Sequence, residues 1–308
     1  MPVISVVVPV YRAENCLDEL YRRLKIVLEN ISHDFEIVLV EDCGGDNSWQ
    51  VIERLSAEDS RVKGIQFSRN FGQHYGITAG LDYCDGDWVV VMDCDLQDRP
   101  EEIARLYDKA LQGYDMVIAR RMQRKDELFK QWTAWLFYKW LSFLSDMDYD
   151  RSVGNFRIFS RKVVENFRGM REQLRFFGGL MNWMGFSSTF IEVEHAERYE
   201  GQSSYTWKKL WKLSSEIIIA YSDKPLRLSI RVGFILSALS FLYALYLITQ
   251  YLFWMAPVAG WTSVMVSIYF VAGLLLMNMG VLGLYVGKMF DEAKHRPLYI
   301  VRNQTGFE

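Results

Sequence analysis

Two aspartates one residue apart, Asp93 and Asp95, follow the apolar run Val89-Val90-Val91-Met92. A run of that length and composition reads as a buried strand. Acidic residues at a strand's carboxyl end lie where open α/β sheets bind their ligands. Carboxylates gathered there are hard oxygen donors, suited to Mg²⁺ or Mn²⁺ that bridges phosphate oxygens. A polar turn is the plainer reading. It suits Asp98, which precedes Pro100-Glu101-Glu102 and reads as a helix cap with Pro in the first turn. It suits Asp93 and Asp95 less well, because capping has no use for both.

The elements that must position these carboxylates alternate. Strands are expected at Ile4–Val8, Glu36–Val40, Val62–Phe67, Trp88–Met92 and Met116–Ala119. Between them lie helical patterns. One is capped by Asn15 and buries Leu17, Leu20, Tyr21, Leu24, Val27 and Leu28. A second is capped by Ser48 and carries Val51, Ile52 and Leu55. Two more run near Tyr75–Tyr83 and Pro100–Leu111. A β-α-β-α order predicts a mostly parallel sheet covered by helices. Pro9-Val10-Tyr11, Glu41-Asp42 and Asp93-Cys94-Asp95 then share one sheet edge.

The totals narrow the class. A net charge of −3 over 308 residues gives no sign of a nucleic-acid partner. Cys16, Cys43, Cys84 and Cys94 form no Cys-x-x-Cys pair, which argues against a zinc site or a disulfide framework and fits a reducing compartment. The apolar run Val3 to Val10 has no basic residues before it and reads as a strand, not a signal peptide.

No charged residue occurs from Val232 to Gly287. Pro257-Val258-Ala259-Gly260 divides that stretch into Val232–Trp254 and Ser263–Gly287. Each half meets the roughly 20 apolar residues a membrane span needs. Arg227 and Arg231 precede the first half, and Lys288, Lys294 and Arg296 follow the second. The positive-inside rule then places both chain ends in the cytoplasm. Lys130–Leu144 and Tyr205–Tyr221 mix aromatic and basic residues, a pattern suited to a membrane interface or, for the first, equally to a core. The expected domains are 1–225 with the catalytic fold, 226–290 as a transmembrane hairpin, and 291–308 as a cytoplasmic tail.

Several segments, taken in order, resemble glycosyltransferase family 2. They are Val7-Val8-Pro9-Val10-Tyr11 with Glu14-Asn15, Val40-Glu41-Asp42 with Asp46-Asn47-Ser48, Arg69-Asn70-Phe71-Gly72, Ala79-Gly80-Leu81, and Gly86-Asp87 leading into Asp93-Cys94-Asp95-Leu96-Gln97-Asp98. The Leu96-Gln97-Asp98 extension, and Arg198-x-x-Gly201-x-Ser203-x-Tyr205 before the double span, are similar to the polyprenyl-phosphate glycosyltransferases. That group includes dolichyl-phosphate mannose synthases and bactoprenol glucosyltransferases. The likeness covers nearly the whole chain, and order and spacing carry it more than any single motif.

The resemblance implies a GT-A fold and inverting transfer from a UDP- or GDP-linked sugar to a polyprenyl phosphate such as undecaprenyl phosphate. The enzyme would be multi-pass in the inner membrane, with its catalytic domain in the cytoplasm, and tetrameric. Pro9, Tyr11, Glu14, Asp42 and Asp93 would hold the nucleotide sugar. Asp93, Asp95 and Gln97 would hold the metal, Arg120, Arg198 and Ser203 would meet phosphates, and Asp95, Arg198 and Asn155 would serve catalysis. Arg121 is as well placed in sequence as Arg120. Two positions depart from the group: Asn155 stands in Gly154-Asn155-Phe156-Arg157 where Asp is common, and Ser204 stands where Lys is favoured. The first removes a candidate base, and the second a phosphate contact that Lys208 could replace. Transfer to a sugar hydroxyl and a non-catalytic membrane scaffold are the competing readings.

Overall fold

The computed structural model describes residues 3–121, 153–194, 222–254 and 260–307. Both aromatic–basic segments, together with Arg198 and Ser203, lie outside the described residues. The described parts fall into two compact units. The first holds everything up to residue 194 together with the chain from Arg296 onward, and the second holds the residues between Ser222 and His295.

In the first unit, β1 (Ile4–Val10), β2 (Phe35–Glu41) and β4 (Trp88–Val91) form the sheet centre, with β3 (Val62–Phe67) beside β2. β1 pairs in parallel with β2 and β4, and β2 in parallel with β3. β1 and β2 are buried at every position, as strands covered on both faces must be. That is why their sequences are mostly apolar, and why the polar Ser5 and Glu36 within them are bonded to each other. The covering helices are α1 (Leu17–Ile31), α2 (Ser48–Glu58), α3 (Gln73–Tyr83) and α4 (Glu102–Ala110). α1 buries Leu17, Leu20, Leu24, Val27 and Leu28, as its spacing predicts. α3 lies unusually close to β1: a Cβ on Gly80 would stand 2.1 Å from Val7 Cγ1. Only glycine lets the helix approach that far.

The sheet also contains strands that the alternating pattern does not foresee. β6 (Val153–Ser160) inserts antiparallel between β4 and β5 (Met116–Arg121), and β7 (Ser188–Val193) lies parallel to β5 at the edge. At the opposite edge, β8 (Val301–Thr305) pairs antiparallel with β3. The complete order is β7-β5-β6-β4-β1-β2-β3-β8. The tail is therefore part of the first unit's sheet. Tyr299 anchors it, stacking on Phe67 at 5.2 Å and donating to Asp82 Oδ2 at 2.7 Å. Two short helices, α5 (Arg161–Gly169) and α6 (Phe177–Trp183), complete the unit.

Three expected caps do not form. Among the described helix starts, α1 has Cys16 at its cap position, not Asn15, because the Ala13 carbonyl takes the N–H groups of Cys16 and Leu17 at 3.1 and 3.3 Å. Ser48 is the first residue of α2 and not its cap. Its hydroxyl instead accepts from the Ala13 N–H at 3.0 Å and donates to Asp46 at 2.7 Å, joining two loops. Asp98 does not cap α4: the carbonyls of Arg99 and Pro100 accept from Glu102 and Ile103. Asp98 turns inward instead and is buried.

The second unit contains α7 (Lys224–Trp254) and α8 (Trp261–Ala293). Within them, Lys224–Tyr243 and Val266–Ala293 are long and apolar enough to cross a membrane, with mean hydropathies of 1.5 and 1.9. Both are unburied within the molecule. The Ser229 hydroxyl of α7 donates to Asn278 of α8, and Tyr285 donates to the Ser222 carbonyl at 2.7 Å.

Candidate active site

The carboxyl ends of β1, β2 and β4 lie side by side, so the loops that follow them share one edge. Each contains a non-glycine residue at positive φ: Arg12 at 53°, Cys43 at 52° and Leu96 at 59°. Such conformations cost of order 1–2 kcal/mol each for residues with a Cβ, and they cluster at functional sites. Leu96 is fixed there by its side chain, which is buried in the core. The reversal it makes sets Asp95 and Gln97 on either side of the bend, where the Gln97 N–H donates to Asp95 Oδ1 at 3.1 Å.

The loops after β1 and β2 are knitted to each other. Arg12 Nε donates to the Gly44 carbonyl at 3.0 Å, the Glu14 N–H to Asp46 Oδ2 at 3.3 Å, and the Asn47 N–H to Glu14 Oε2 at 2.9 Å. Pro9 lies just beyond the last β1–β4 pair, Val7 with Val91. Val7 turns its carbonyl to Met92 N–H. Pro9, two residues on, faces the same side, where β4 has ended and a missing N–H breaks no ladder. Tyr11 projects from this edge with 49% of its surface exposed and Arg12 over its ring at 5.4 Å.

Asp42 is only 3% exposed. Its two carboxylate oxygens accept the N–H groups of Phe71 and Gly72 at 2.6 and 2.8 Å, and its carbonyl accepts from the Asn70 amide at 3.1 Å. Asp42 therefore shapes the Asn70–Gly72 turn that starts α3. Burial pushes its carboxyl up to about 6, against the pull of those two N–H donors.

Asp93 stands past the end of β4. Gln73 Nε2 donates to its Oδ1 at 2.7 Å, and Asn155 Nδ2 donates to the same oxygen at 3.3 Å. Burial raises the Asp93 carboxyl, the Asp95 charge raises it further, and Asn155, Arg121 and Gln73 draw it back. Asp98 is pushed up to about 7, first by burial and then by the Asp93 charge, while Arg121 at 3.6 Å opposes the shift. Successive strand residues point to opposite faces. Arg121 accordingly reaches Asp98, while Arg120 lies over the Phe190 ring at 4.4 Å. The structure thus brings Arg121 to the acidic cluster. Gly154 makes room for it, since a Cβ there would stand 3.1 Å from Arg121 Nη2.

Of the residues singled out from the sequence, Pro9, Tyr11, Glu14 and Asp42 gather on the β1–β2 side. Asp93, Asp95, Gln97 and Asn155 gather on the β4–β6 side. Arg121, the alternative to Arg120, joins the second group, and so does Gln73, which had been assigned no role from sequence. Among the described residues, no group of three or more His, Cys, Asp or Glu side chains is arranged to hold a metal ion. A pair of carboxylates fits Mg²⁺ or Mn²⁺ nonetheless, because such ions commonly take one or two protein carboxylates and complete their shell with substrate phosphates and water.

Comparison with known proteins agrees with this architecture. The model of the family described as Glycosyl transferase family 2 matches residues 5–174. An uncharacterized glycosyltransferase of Bacillus subtilis (strain 168) is 41% identical over 305 residues, covering 99% of this chain and 94% of that protein. The bactoprenol glucosyl transferase of Shigella phage SfV is 38% identical over 302 residues, covering 98% of each. Among solved structures, glucosyl-3-phosphoglycerate synthase from Mycobacterium tuberculosis, in complex with Mn²⁺, UDP-glucose and phosphoglyceric acid, aligns with a TM-score of 0.50 at 15% identity. The alignment covers 71% of this chain and 78% of that one. At that identity the likeness concerns the fold, which is the GT-A-like, mostly parallel mixed sheet.

Proposed function

Because the chain belongs to glycosyltransferase family 2, we propose that it transfers a sugar from a nucleotide sugar to the phosphate of a polyprenyl-phosphate lipid, with inversion, at the cytoplasmic membrane face. The observation that carries this is the joining, in one chain, of the Asp93–Asp95 strand end to a pair of apolar helices. Relatives named bactoprenol glucosyl transferase match along almost the whole length, helices included.

Tyr11 stacks on the nucleobase, and Pro9, Glu14 and Asp42 shape the floor and wall around the nucleoside. Asp93 and Asp95, with Gln97, would hold Mg²⁺ or Mn²⁺, which supplies positive charge to the departing diphosphate. A phosphate oxygen of the lipid forms the new bond to the anomeric carbon, from the side opposite the nucleoside diphosphate. The diphosphate leaves with the electron pair of the broken C–O bond. No general base is required, because a phosphate monoester has a second pKa of about 6 and is largely ionised at pH 7. A sugar hydroxyl would need one. Asn155 stands where a carboxylate would serve, and 173–191 contains no Asp or Glu. Arg121, Arg198 and Ser203 position phosphates, with Arg120 set back against Phe190.

Topology follows from the tail. The chain passes through two apolar helices and then contributes β8 to the sheet from which it departed. This supports a hairpin topology, with the sheet domain and the tail on one side of the membrane. Arg227, Arg231, Lys288, Lys294 and Arg296 flank the apolar stretches in sequence, which by the positive-inside rule supports the cytoplasm as that side. A tetramer, implied by the resemblance, is checked by light scattering in detergent.

The test is product analysis with radiolabelled UDP- and GDP-sugars and undecaprenyl phosphate. A lipid product that mild acid cleaves to free sugar is expected. Label found only in an acid-stable glycosidic linkage puts a hydroxyl acceptor first, and absence of any transfer favours the scaffold.

A further inference from the structure

Gln73 appears in none of the roles above, yet it makes the shortest hydrogen bond to Asp93. Its Nε2 lies 2.7 Å from Asp93 Oδ1, and Asn155 Nδ2 reaches the same oxygen at 3.3 Å. An amide oxygen turned toward a carboxylate would be repelled, so both amides present N–H. The two donors come from different elements, and each is held from behind. Gln73 is the first residue of α3. Gly72, just before it, sits at φ 107° with its N–H on Asp42 Oδ2 at 2.8 Å. Asn155 lies early in β6, and the carbonyl of Gly154 before it accepts from the buried Arg157 guanidinium. With Oδ1 held by two fixed donors, rotation of the Asp93 carboxylate is arrested, and Oδ2 keeps one direction.

We propose that Gln73 is a positioning residue: together with Asn155 it pins Oδ1 of Asp93, so that Oδ2 is presented to the metal–diphosphate. This rests on the proposed role of Asp93 as a metal ligand. It also gives Asn155 a task other than that of the carboxylate it replaces. Gln73 further connects the two halves of the site, since the Asp42 clamp on Gly72 fixes the backbone from which Gln73 reaches Asp93.

The full-length protein is titrated with Mn²⁺ in the presence of UDP, and in parallel of GDP, with free Mn²⁺ read by electron paramagnetic resonance. Outer-shell partners of metal ligands commonly contribute 10–100-fold in affinity, and Gln73→Leu is expected to weaken Mn²⁺ binding roughly tenfold. Because Gln73 is exposed, its melting temperature should stay at the wild-type value. Nucleotide binding measured without metal should also be unchanged, which a merely structural role would not predict. Wild-type protein that binds Mn²⁺, with Gln73→Leu within twofold of it, overturns the inference alone. A drop in melting temperature or in metal-free nucleotide binding that matches the loss of Mn²⁺ affinity overturns it in favour of a structural role. Wild-type protein that binds no Mn²⁺ with either nucleotide overturns the metal site itself, and the inference with it.

Discussion

The two halves of the candidate site hold Asp42 and Asp93 in different ways. On the β1–β2 side, the acceptors are filled largely by main-chain N–H groups: Phe71 and Gly72 on Asp42, Gly44 on Glu41, Asn47 on Glu14, and Glu14 on Asp46. On the β4–β6 side, Asp93 is held by side-chain amides, Gln73 and Asn155. Main-chain donors fix the shape of loops, and removing their acceptor disturbs the fold. Side-chain donors orient one group, and removing them disturbs chemistry while leaving the loop intact. On the proposed function, the first half is a rigid recess for the part of the substrate that does not react. On the same proposal, the second is a cluster of individually oriented side chains where charge changes during reaction.

The sharpest way to break this comparison is Asp95→Asn. If Asp95 is the ligand proposed above, neutralising it should lower transfer at least about a hundredfold, given that metal stabilisation of a leaving group is typically worth several kcal/mol. Its melting temperature should stay near wild type, and EDTA should reproduce the loss in the wild-type enzyme. Wild-type-like turnover at saturating Mn²⁺ would remove Asp95 from the site.

Asp42→Ala probes the other half and should do the reverse. Two main-chain N–H groups lose their acceptor, each at about 1–3 kcal/mol when buried. The variant should therefore be destabilised by roughly 2–6 kcal/mol on that scale, and the Michaelis constant for nucleotide sugar should rise with it. Chemical denaturation measures the first quantity and steady-state kinetics the second. A stable protein with lost turnover would place Asp42 among the reacting groups instead.

What the sequence made legible divides along similar lines. β1, β2 and β4 were readable because strands buried on both faces are predominantly apolar, and Asp93 and Asp95 were readable because they end such a run. β6 was not: Gly154, Asn155 and Arg157 lie within it, and polar residues in a central strand erase the hydrophobic signal. Arg157 is tolerated there because its guanidinium meets the Gly154 carbonyl and the Phe177 ring, though burial still pushes it down to about 10. β8, Val301-Arg302-Asn303-Gln304-Thr305, is a largely exposed edge strand and shows no apolar period. Gln73 was hidden for another reason. Its contact with Asp93 exists only because α3 packs on β1 closely enough for the helix start to overhang the end of β4. No local pattern encodes that. Asp98 was misread as a cap because Asp before Pro is a sound local signal, which the Arg99 and Pro100 carbonyls made unnecessary.

A pH titration sharpens the account of Asp42. Its folded carboxyl is raised from 3.8 to about 6, chiefly by burial. Between those values the folded protein binds the proton more tightly than the unfolded chain does. The stability this supplies is fully present below 3.8 and is lost as pH rises through about 6. Asp42→Asn carries no such proton. The stability of wild type relative to Asp42→Asn should therefore decline from pH 4 to pH 7, by on the order of 1–3 kcal/mol at 1.36 kcal/mol per unit. A difference that stays level with pH would show that the two main-chain donors cancel the cost of burial.

The smallest effect is expected at Tyr11. Its ring is about half exposed at the end of β1, with a guanidinium near one side, and nothing in the knitted loops depends on it. Truncation should therefore leave the fold and the reacting cluster alone. What it removes is a flat apolar surface for a nucleobase, and stacking on an aromatic side chain is worth about 1–3 kcal/mol per base in single-stranded nucleic-acid complexes. A half-exposed platform belongs at the low end of that range. Tyr11→Ala should thus raise the Michaelis constant for nucleotide sugar about fivefold with kcat unchanged, while Tyr11→Phe, which keeps the ring, should remain within twofold of wild type. The pair separates stacking from hydrogen bonding through the hydroxyl, because only the latter would be lost in both variants. If Tyr11→Ala instead lowers kcat at an unchanged Michaelis constant, Tyr11 acts on the transition state. The division between a recess that holds and a cluster that reacts would then not run between β1 and β4.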